Sequence, residues 1–472
     1  MGVVSNFRLI FCLFLLSSFT LNAVAQKDTV EFEVGVQSVL SSGKTAPFWI
    51  HSGHNGHVPI EKSSMSVEIG LLKKYQHPDR LFDYSVGASA HVDAVGSGVE
   101  LDLHELFINT RLWILNFNIG SRIKQIGNQD ETLSSGGLLF SNNAEPIPSL
   151  FVGIEEFTPL FFKNGFFEVK GGLSHGLFKD NAYVKNMLFH HKYAYVRLGG
   201  KGVVRFQYGL DHAAQWGGNV PGYGQQPDGF EDFINIMLLR SGSNSNIGFE
   251  QINMGGNHLI SQSLRLDIDL GGTEIGAYWQ NINEDKPIRL LWNSVNVYDG
   301  LWGFSVKNKR FPIIKGFLYE YLNTTDQNGP YHDKDGIVYG GADTYFNNYL
   351  YASGWTNYGR TIGTPFITSP LYNTDGSLQL VNTRVQAHHF GLEGEVSGYG
   401  FKVLNSYSKN YGNYSAPFRK DAVSLLVEVN KTFEKWWGLE AALSVGADWG
   451  QMYGRNTGLL FKITKRGELF KY

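Results

Sequence analysis

Hydrophobic and polar side chains alternate along the segment Leu439–Trp449. Its odd-numbered positions are all apolar, whereas its even-numbered positions are small or polar. A period of two is typical of a β-strand with one apolar and one polar face, and the length matches the roughly 9–11 residues of a tilted membrane-spanning strand. Trp436 and Trp437 precede the segment, where an aromatic girdle would lie at one bilayer surface, and Trp449 ends it at the other. The pattern predicts a transmembrane β-strand.

The same alternation recurs along the chain between clusters of turn-forming residues. Segments that show it include Val30–Val36, Phe82–Val92, Phe166–Leu173, Val203–Leu210 and Val381–Leu392. Val99–Ile114 also alternates, but its phase shifts near His104, which indicates a β-bulge or two strands. Between the strands, Gly229–Arg240 is predicted to form one short helix, either extracellular or inserted into the lumen.

These segments predict an all-β protein, a transmembrane antiparallel β-barrel with one short helix in a loop. At roughly 25 residues for each strand with its loop, the chain suffices for about 16–18 strands, with 18 favoured. The sequence contains no linker, charge run or low-complexity tract. We therefore expect residues 26–472 to form a single barrel domain.

The first 25 residues have the pattern of a secretory signal peptide. Arg8 is followed by the apolar stretch Leu9–Leu21, and Ala23-Val24-Ala25 supplies small residues before a cleavage site at Gln26. The only cysteine, Cys12, lies in this segment. The mature chain is thus expected to have no disulfide, no cysteine nucleophile and no thiolate metal site.

The overall charge is too small to indicate a strongly charged partner, and the composition favours a membrane barrel. The chain has 40 Lys+Arg against 43 Asp+Glu, which does not favour a nucleic-acid partner. It has 56 glycines and 14% aromatic residues, as expected for barrel bends, a tightly lined lumen and aromatic girdles. We expect a monomeric barrel surrounded by outer-membrane lipid and lipopolysaccharide, with no cofactor.

The histidines have spacings that could suggest a metal site. His51, His54 and His57 lie close together, but glycine and asparagine interrupt a loop that lacks the rigid support of a metal centre. The pairs His190-His191 and His388-His389 lie on or beside strands, where neighbours point to opposite faces. We expect each pair to combine a lumen histidine with an interface histidine, and we predict no metal site.

One segment resembles a hydrolase motif. Gly172-Leu173-Ser174-His175-Gly176 matches the G-x-S-x-G pattern of a nucleophile elbow. That motif requires a sharp turn from a buried strand into a helix, whereas the preceding segment here alternates as a barrel strand does. We therefore predict no catalytic residue and keep hydrolysis by Ser174 as an alternative.

A set of aromatic, amide and basic residues is a candidate carbohydrate surface. Sugars bind to aromatic faces, while amides and charged groups bond their hydroxyls. The alternative is that the aromatic members belong to the interfacial girdles. The candidate binding residues are Trp292, Trp302, Tyr345, Asn347, Asn348, Trp355, Tyr358 and Arg360.

Several longer stretches are spread widely along the chain and are specific in their combinations of residues. The stretches are SSGGLLFSNNAEPIPSL (Ser134–Leu150), GLFKDNAYVKNMLFHHKYAYVRL (Gly176–Leu198), GLDHAAQWGG (Gly209–Gly218), FLYEYLNTTDQNGP (Phe317–Pro330), YFNNYLYASGWTNYGRTIGTP (Tyr345–Pro365) and NTRVQAHHFGLEGE (Asn382–Glu395). Together they resemble the Wzi capsule-assembly family of outer-membrane proteins, in the form found in Bacteroidetes.

The resemblance implies a non-enzymatic outer-membrane lectin that anchors or organises capsular polysaccharide at the cell surface. Proteobacterial members begin with a periplasmic helical bundle that plugs the barrel, and the sequence shows no such segment before Val30. A porin-like diffusion channel is the main alternative, although long loops such as Gly217–Asp228 predict an occluded pore. The second alternative is an outer-membrane lipid hydrolase.

Overall fold

A computed structural model describes residues 28–471, with gaps at 97, 163, 181, 241–254, 285–297, 328, 330–331 and 336. The expected signal peptide, residues 1–25, and the candidate residue Trp292 therefore lie outside the described residues. The described chain is dominated by long β-strands, as the alternating pattern predicts.

Eighteen strands form one sheet. In chain order they are β1 (Thr29–Thr45), β2 (Glu61–Lys73), β3 (Phe82–Val95), β4 (Gly98–Leu112), β5 (Leu115–Ser121), β6 (Ser149–Pro159), β7 (Phe167–Leu177), β8 (Leu188–Leu198), β9 (Val204–Trp216), β10 (Asn257–Asp269), β11 (Thr273–Glu284), β12 (Gly300–Asn308), β13 (Ile314–Asn323), β14 (Val385–Val396), β15 (Tyr399–Gly412), β16 (Pro417–Phe433), β17 (Leu439–Gly450) and β18 (Asn456–Lys471).

The sheet closes on itself. Every strand pairs antiparallel with its neighbour in sequence, and β1 pairs with β18 from Thr29↔Lys471 to Ser41↔Gly458. Closure leaves no sheet edge with unpaired N–H and C=O groups, which a bilayer would not tolerate. The predicted antiparallel barrel of 18 strands is confirmed.

The two ends of the barrel differ in the length of their connections. Loops after odd-numbered strands include residues 46–60, 122–148, 217–256 and 324–384, whereas the turns after even-numbered strands are short, for example residues 113–114 and 397–398. Outer-membrane barrels have short periplasmic turns and long extracellular loops. We therefore place the long-loop end outside the cell and the short-turn end, with the start of β1 and the end of β18, in the periplasm.

The wall alternates between lipid and lumen as the sequence predicts. On β17, Leu443, Val445 and Trp449 are 41–46% exposed on the outer surface, whereas Ser444 and Asp448 are buried in the interior. Trp436 and Trp437 are exposed at the periplasmic turn before this strand. The strand therefore has an aromatic residue at each bilayer surface.

The phase shift predicted near His104 is a β-bulge within one strand. Ser89 of β3 pairs with Glu105 of β4, but the next residue, Ala90, pairs with Leu103. His104 is the extra residue, and its side chain is buried inside the wall.

The short helix α1 (Phe230–Met237) lies against the outside of the wall. Phe233 contacts the rings of His190 and Trp216, which point away from the lumen-facing His191 beside them. The helix is therefore not inserted into the lumen. In the part of the chain that the structure describes, no helix is long and apolar enough to cross a membrane.

The two faces of β17 should respond differently to the same added charge. Leu443→Glu puts a carboxylate into lipid and is expected to destabilise the barrel by on the order of 1–2 kcal/mol. Ala442→Glu faces the lumen opposite Lys462 and should have little effect. Urea unfolding of protein refolded into lipid vesicles measures both, and equal losses would contradict the assigned faces.

Candidate functional site

Three loops from the extracellular end fold into the barrel and fill its upper half. We call these loops, residues 46–60, 122–148 and 324–384, the plug. Their apolar side chains form one buried cluster with lumen-facing residues of the wall. The plug members of the cluster include Phe48, Trp49, Ile50, Leu133, Leu138, Leu139, Tyr345, Phe346, Leu350, Tyr351, Trp355, Phe366 and Ile367.

The first plug loop is held to the wall by a single helical turn, α2 (Phe48–His51). The backbone N–H of Phe48 donates to Asp448 Oδ2 at 2.9 Å, and Trp49 Nε1 donates to Ser406 Oγ at 3.0 Å. Gly446 faces this turn, and a Cβ there would lie 2.6 Å from Ile50 Cγ1. The lack of a side chain at Gly446 therefore lets the loop approach the wall.

The second plug loop is held by a buried carboxylate. Glu320 on β13 is 1% exposed and accepts hydrogen bonds from Ser134 Oγ at 2.6 Å and from Ser135 N and Oγ at 2.7 and 2.6 Å. Tyr278 of β11 donates to the same carboxylate. The short side chains of the serines allow one wall carboxylate to fix the loop.

The third plug loop is held by both the wall and the second loop. Trp355 Nε1 donates to the Leu139 carbonyl at 2.8 Å, and Gln215 of β9 donates to the Gly354 carbonyl at 2.9 Å. The backbone N–H of Phe346 donates to Glu284 at 2.6 Å. The sequence predicts that long loops such as Gly217–Asp228 block the pore. In the structure, most of the side chains that fill the lumen belong to the plug, whereas Gly217–Asp228 contributes the buried Val220.

The structure places three of the candidate carbohydrate residues inside the plug. Tyr345 and Trp355 are 0% exposed and Arg360 is 6% exposed. The Arg360 guanidinium donates to the carbonyls of Val58 at 2.5 Å and His51 at 3.2 Å. These side chains support the loops of the extracellular end.

Two candidate asparagines are partly buried in the same loop. Asn347 exchanges hydrogen bonds with the backbone of Leu380, and Asn348 Oδ1 accepts from the N–H groups of Leu350 and Tyr351. The sixth described candidate, Trp302 on β12, is 45% exposed on the outer surface beside Trp279. Its surroundings are those of a lipid-facing residue.

The candidate Tyr358 lies in the third plug loop, and its side chain is 39% exposed. Burial, together with the charge of Glu145, raises the pKa of its phenol to about 12, so the hydroxyl remains a hydrogen-bond donor at neutral pH. Other exposed tyrosines on extracellular loops are Tyr223, Tyr298 and Tyr349. The candidate set predicted from the sequence does not include these three, although their position between strands could have identified them.

The lower half of the lumen contains a cavity of about 840 Å³, and nearly half of its lining residues are charged. Most of these charges are paired across the wall, as in Arg122–Glu155 at 2.6 Å and Arg197–Glu168 at 2.6 Å. Polar lumen residues are expected of a barrel. The plug separates this periplasmic cavity from the extracellular surface.

Ser174 lies on β7 directly opposite His191 of β8, and His191 Nε2 is 3.1 Å from Asp211 Oδ1. Ser174 is within a continuous strand, so the strand-to-helix turn of a nucleophile elbow is absent at this position. The interpretation of both histidine pairs agrees with the structure: His191 and His389 face the interior, whereas His190 and His388 face outward.

The closed wall, the outward apolar surface and the unequal ends define an outer-membrane β-barrel whose extracellular half is filled by its own loops. The sequence matches the family model for the capsule assembly protein Wzi over residues 50–368, about two thirds of the chain. The chain belongs to the Wzi capsule-assembly family, which confirms the resemblance, and it resides in the bacterial outer membrane.

Solved structures share this fold at low sequence identity. One is Wzi from Escherichia coli, described as an outer-membrane protein involved in group 1 capsule assembly and a carbohydrate-binding β-barrel, with 12% identity, a TM-score of 0.59 and coverage of 92% of this chain and 84% of that one. Another is OpdK of Pseudomonas aeruginosa, with 9% identity, a TM-score of 0.50 and coverage of 93% and 99%. A comparison with curated proteins finds no significant match.

Removal of the Glu320 carboxylate should loosen the plug. Glu320→Ala leaves the two serines and Tyr278 without their acceptor and is expected to destabilise the protein by at least about 2 kcal/mol. In planar bilayers the wild type should show low steady conductance and the variant larger, fluctuating currents. Glu434→Ala, at an exposed periplasmic turn, is the control. A large steady wild-type conductance would contradict occlusion by the plug.

Stability should depend on pH through Glu145 of the second plug loop. Burial, together with the charge of Asp102, raises the pKa of this carboxyl from 4.5 to about 7. The folded protein then binds more protons than the unfolded chain, so this contribution to stability is present in full below about pH 4.5 and is lost as the pH rises through 7.

Glu145→Gln should remove that contribution. Denaturation midpoints of both proteins are measured at pH 5 and at pH 8. From the lower to the higher pH, the midpoint of the wild type should fall relative to that of the variant. Because other groups titrate equally in both proteins, the difference between them reports on Glu145. A difference that is constant with pH would contradict the raised pKa.

Proposed function

We propose that this protein is a non-enzymatic lectin that holds exported capsular polysaccharide at the cell surface. The observation that carries the proposal is a set of exposed tyrosines on extracellular loops that are fixed in place by a buried plug. Aromatic faces bind sugar rings, and fixed loops lose little conformational freedom on binding. Membership of the capsule-assembly family and the carbohydrate binding stated for the Escherichia coli barrel support it.

Within the candidate set, we assign different roles according to burial. Tyr358 would stack on a sugar ring, and the partly exposed Asn347 and Asn348 would hydrogen-bond the hydroxyls of that sugar. Tyr345, Trp355 and Arg360 would position these loops from below. Trp302 would contact lipid or lipopolysaccharide at the outer wall.

Retention of a polymer does not require a strong single site. A polysaccharide repeats its binding unit many times, so weak contacts with many barrels add up to tight overall attachment through effective concentration. Each barrel can therefore act as a monomer, because the closed sheet needs no partner strand. The alternative of a diffusion channel is supported by the periplasmic cavity, but the plug fills the lumen above it.

The exposed tyrosines should be needed for polysaccharide retention. Deletion of the gene should leave polymer synthesis intact and shift polymer from the cells to the medium. Replacement by the double variant Tyr349→Ala, Tyr358→Ala should reproduce much of that shift, because exposed side chains can be removed without disturbing the plug. Cell-bound and released polysaccharide are measured side by side.

The matched control is Tyr399→Ala, an equally exposed tyrosine at a periplasmic turn, which should retain polymer. A pull-down with polysaccharide from the same cells tests binding directly. Unchanged retention in the deletion strain would overturn the anchoring role. Normal pull-down by the double variant would overturn the assignment of these tyrosines.

A further inference from the structure

Three histidines and two aspartates meet inside the wall near the extracellular end. His91 and Asp93 belong to β3, Asp102 and His104 to β4, and His57 to the first plug loop. The rings of His57 and His104 are 3.8 Å apart, and each lies 5.5 Å from the ring of His91. We call these five residues the histidine cluster.

The β-bulge lies at the β4 members of the cluster. Asp102 and His104 are two residues apart on one face of the strand, and Asp102 pairs with His91 of β3. A ligand atom of each of His91, Asp102 and His104 lies within 4.8 Å of the others. Asp102 Oδ2 is 3.9 Å from His91 Nε2 and 3.8 Å from His104 Nδ1.

Hydrogen bonding within the protein does not satisfy the cluster. Among the described residues, both ring nitrogens of His104 are buried without a hydrogen-bond partner, and so are His57 Nε2 and His91 Nδ1. Asp102 Oδ2 is likewise buried without a hydrogen-bond partner among the described residues. A buried polar atom without a partner destabilises the fold. A bound cation would satisfy several of these atoms at once.

The first plug loop is fixed at the point where it carries His57 to the wall. Gln37 Nε2 donates to the His57 carbonyl at 2.8 Å, and Asn55 N donates to the Asn142 carbonyl at 2.5 Å. The backbone therefore holds the His57 ring beside the wall, with Nε2 of that ring buried and without a partner among the described residues.

We propose that the histidine cluster binds a Zn²⁺ ion through His91, Asp102 and His104, with His57 as a fourth ligand from the plug. Imidazole and carboxylate in a tetrahedral set suit zinc, whereas Ca²⁺ and Mg²⁺ prefer oxygen ligands alone. Asp93 Oδ2 lies 3.1 Å from His91 Nε2 and orients that ring, as carboxylates do for zinc-bound histidines, which leaves the unpartnered Nδ1 of His91 as the nitrogen that would bind the ion. The ion would tie the first plug loop to the wall.

His57 lies outside the group of ligand atoms that are mutually within 4.8 Å, so its ring must shift slightly to bind the ion. The Asp102 side chain is 33% exposed, which gives the ion access from solvent. The site thus has three ligands already close together, a fourth whose side chain must turn towards them, and an entry path.

Zinc binding can be tested on the full chain purified in detergent. After treatment with a chelator and dialysis, titration with ZnCl₂ against a chromophoric chelator should show one ion per chain. X-ray absorption at the zinc edge should show nitrogen and oxygen ligands at roughly 2.0–2.1 Å and no sulfur. His104→Asn and Asp102→Asn should each weaken binding by at least about 10–100-fold.

His77→Asn is the matched control, because His77 also pairs with an aspartate, Asp28, at 3.0 Å but lies outside the cluster. This variant should bind zinc as the wild type does. The difference in gel migration before and after boiling shows which variants are folded, and Asp102→Asn provides the test if His104→Asn does not fold. Absence of stoichiometric binding in the wild type, or undiminished binding by folded cluster variants, would overturn the proposal.

Discussion

The closed ladder of hydrogen bonds around the 18 strands is the constraint on which every other feature depends. Lipid offers no partner to backbone N–H and C=O groups, so a sheet can cross a bilayer only when its first and last strands pair. The pairing of β1 with β18 meets this requirement and fixes the alternation of lipid-facing and lumen-facing residues. Long loops can then be carried at one end without exposing a sheet edge.

Within that wall, the protein has an apolar core where a channel would have water. Side chains such as Phe48, Leu133 and Trp355 pack together in the lumen, and polar wall groups such as Glu320 and Asp448 bond the backbone of the loops. The combination resembles a soluble domain built inside a membrane sheet. It gives the extracellular loops a fixed base.

The wall could be predicted from the sequence because its signal is local. Alternation on β17, the phase shift at His104 and the opposite faces of His190 and His191 each depend on neighbours in the chain. The plug could not be predicted in this way, since an aromatic residue in a long loop looks the same whether it is buried, as Trp355 is, or exposed, as Tyr349 is. Likewise His57 meets His104 only through folding of the loop onto the wall.

The position of the plug leaves two possible orders of events during assembly. Its loops follow β1, β5 and β13, and they lie inside a wall that is closed by the pairing of β1 with β18. Either the loops fold before this pairing forms, or they enter afterwards through the extracellular mouth. In the first case, pairing of the last strand with the first encloses an interior that is already packed.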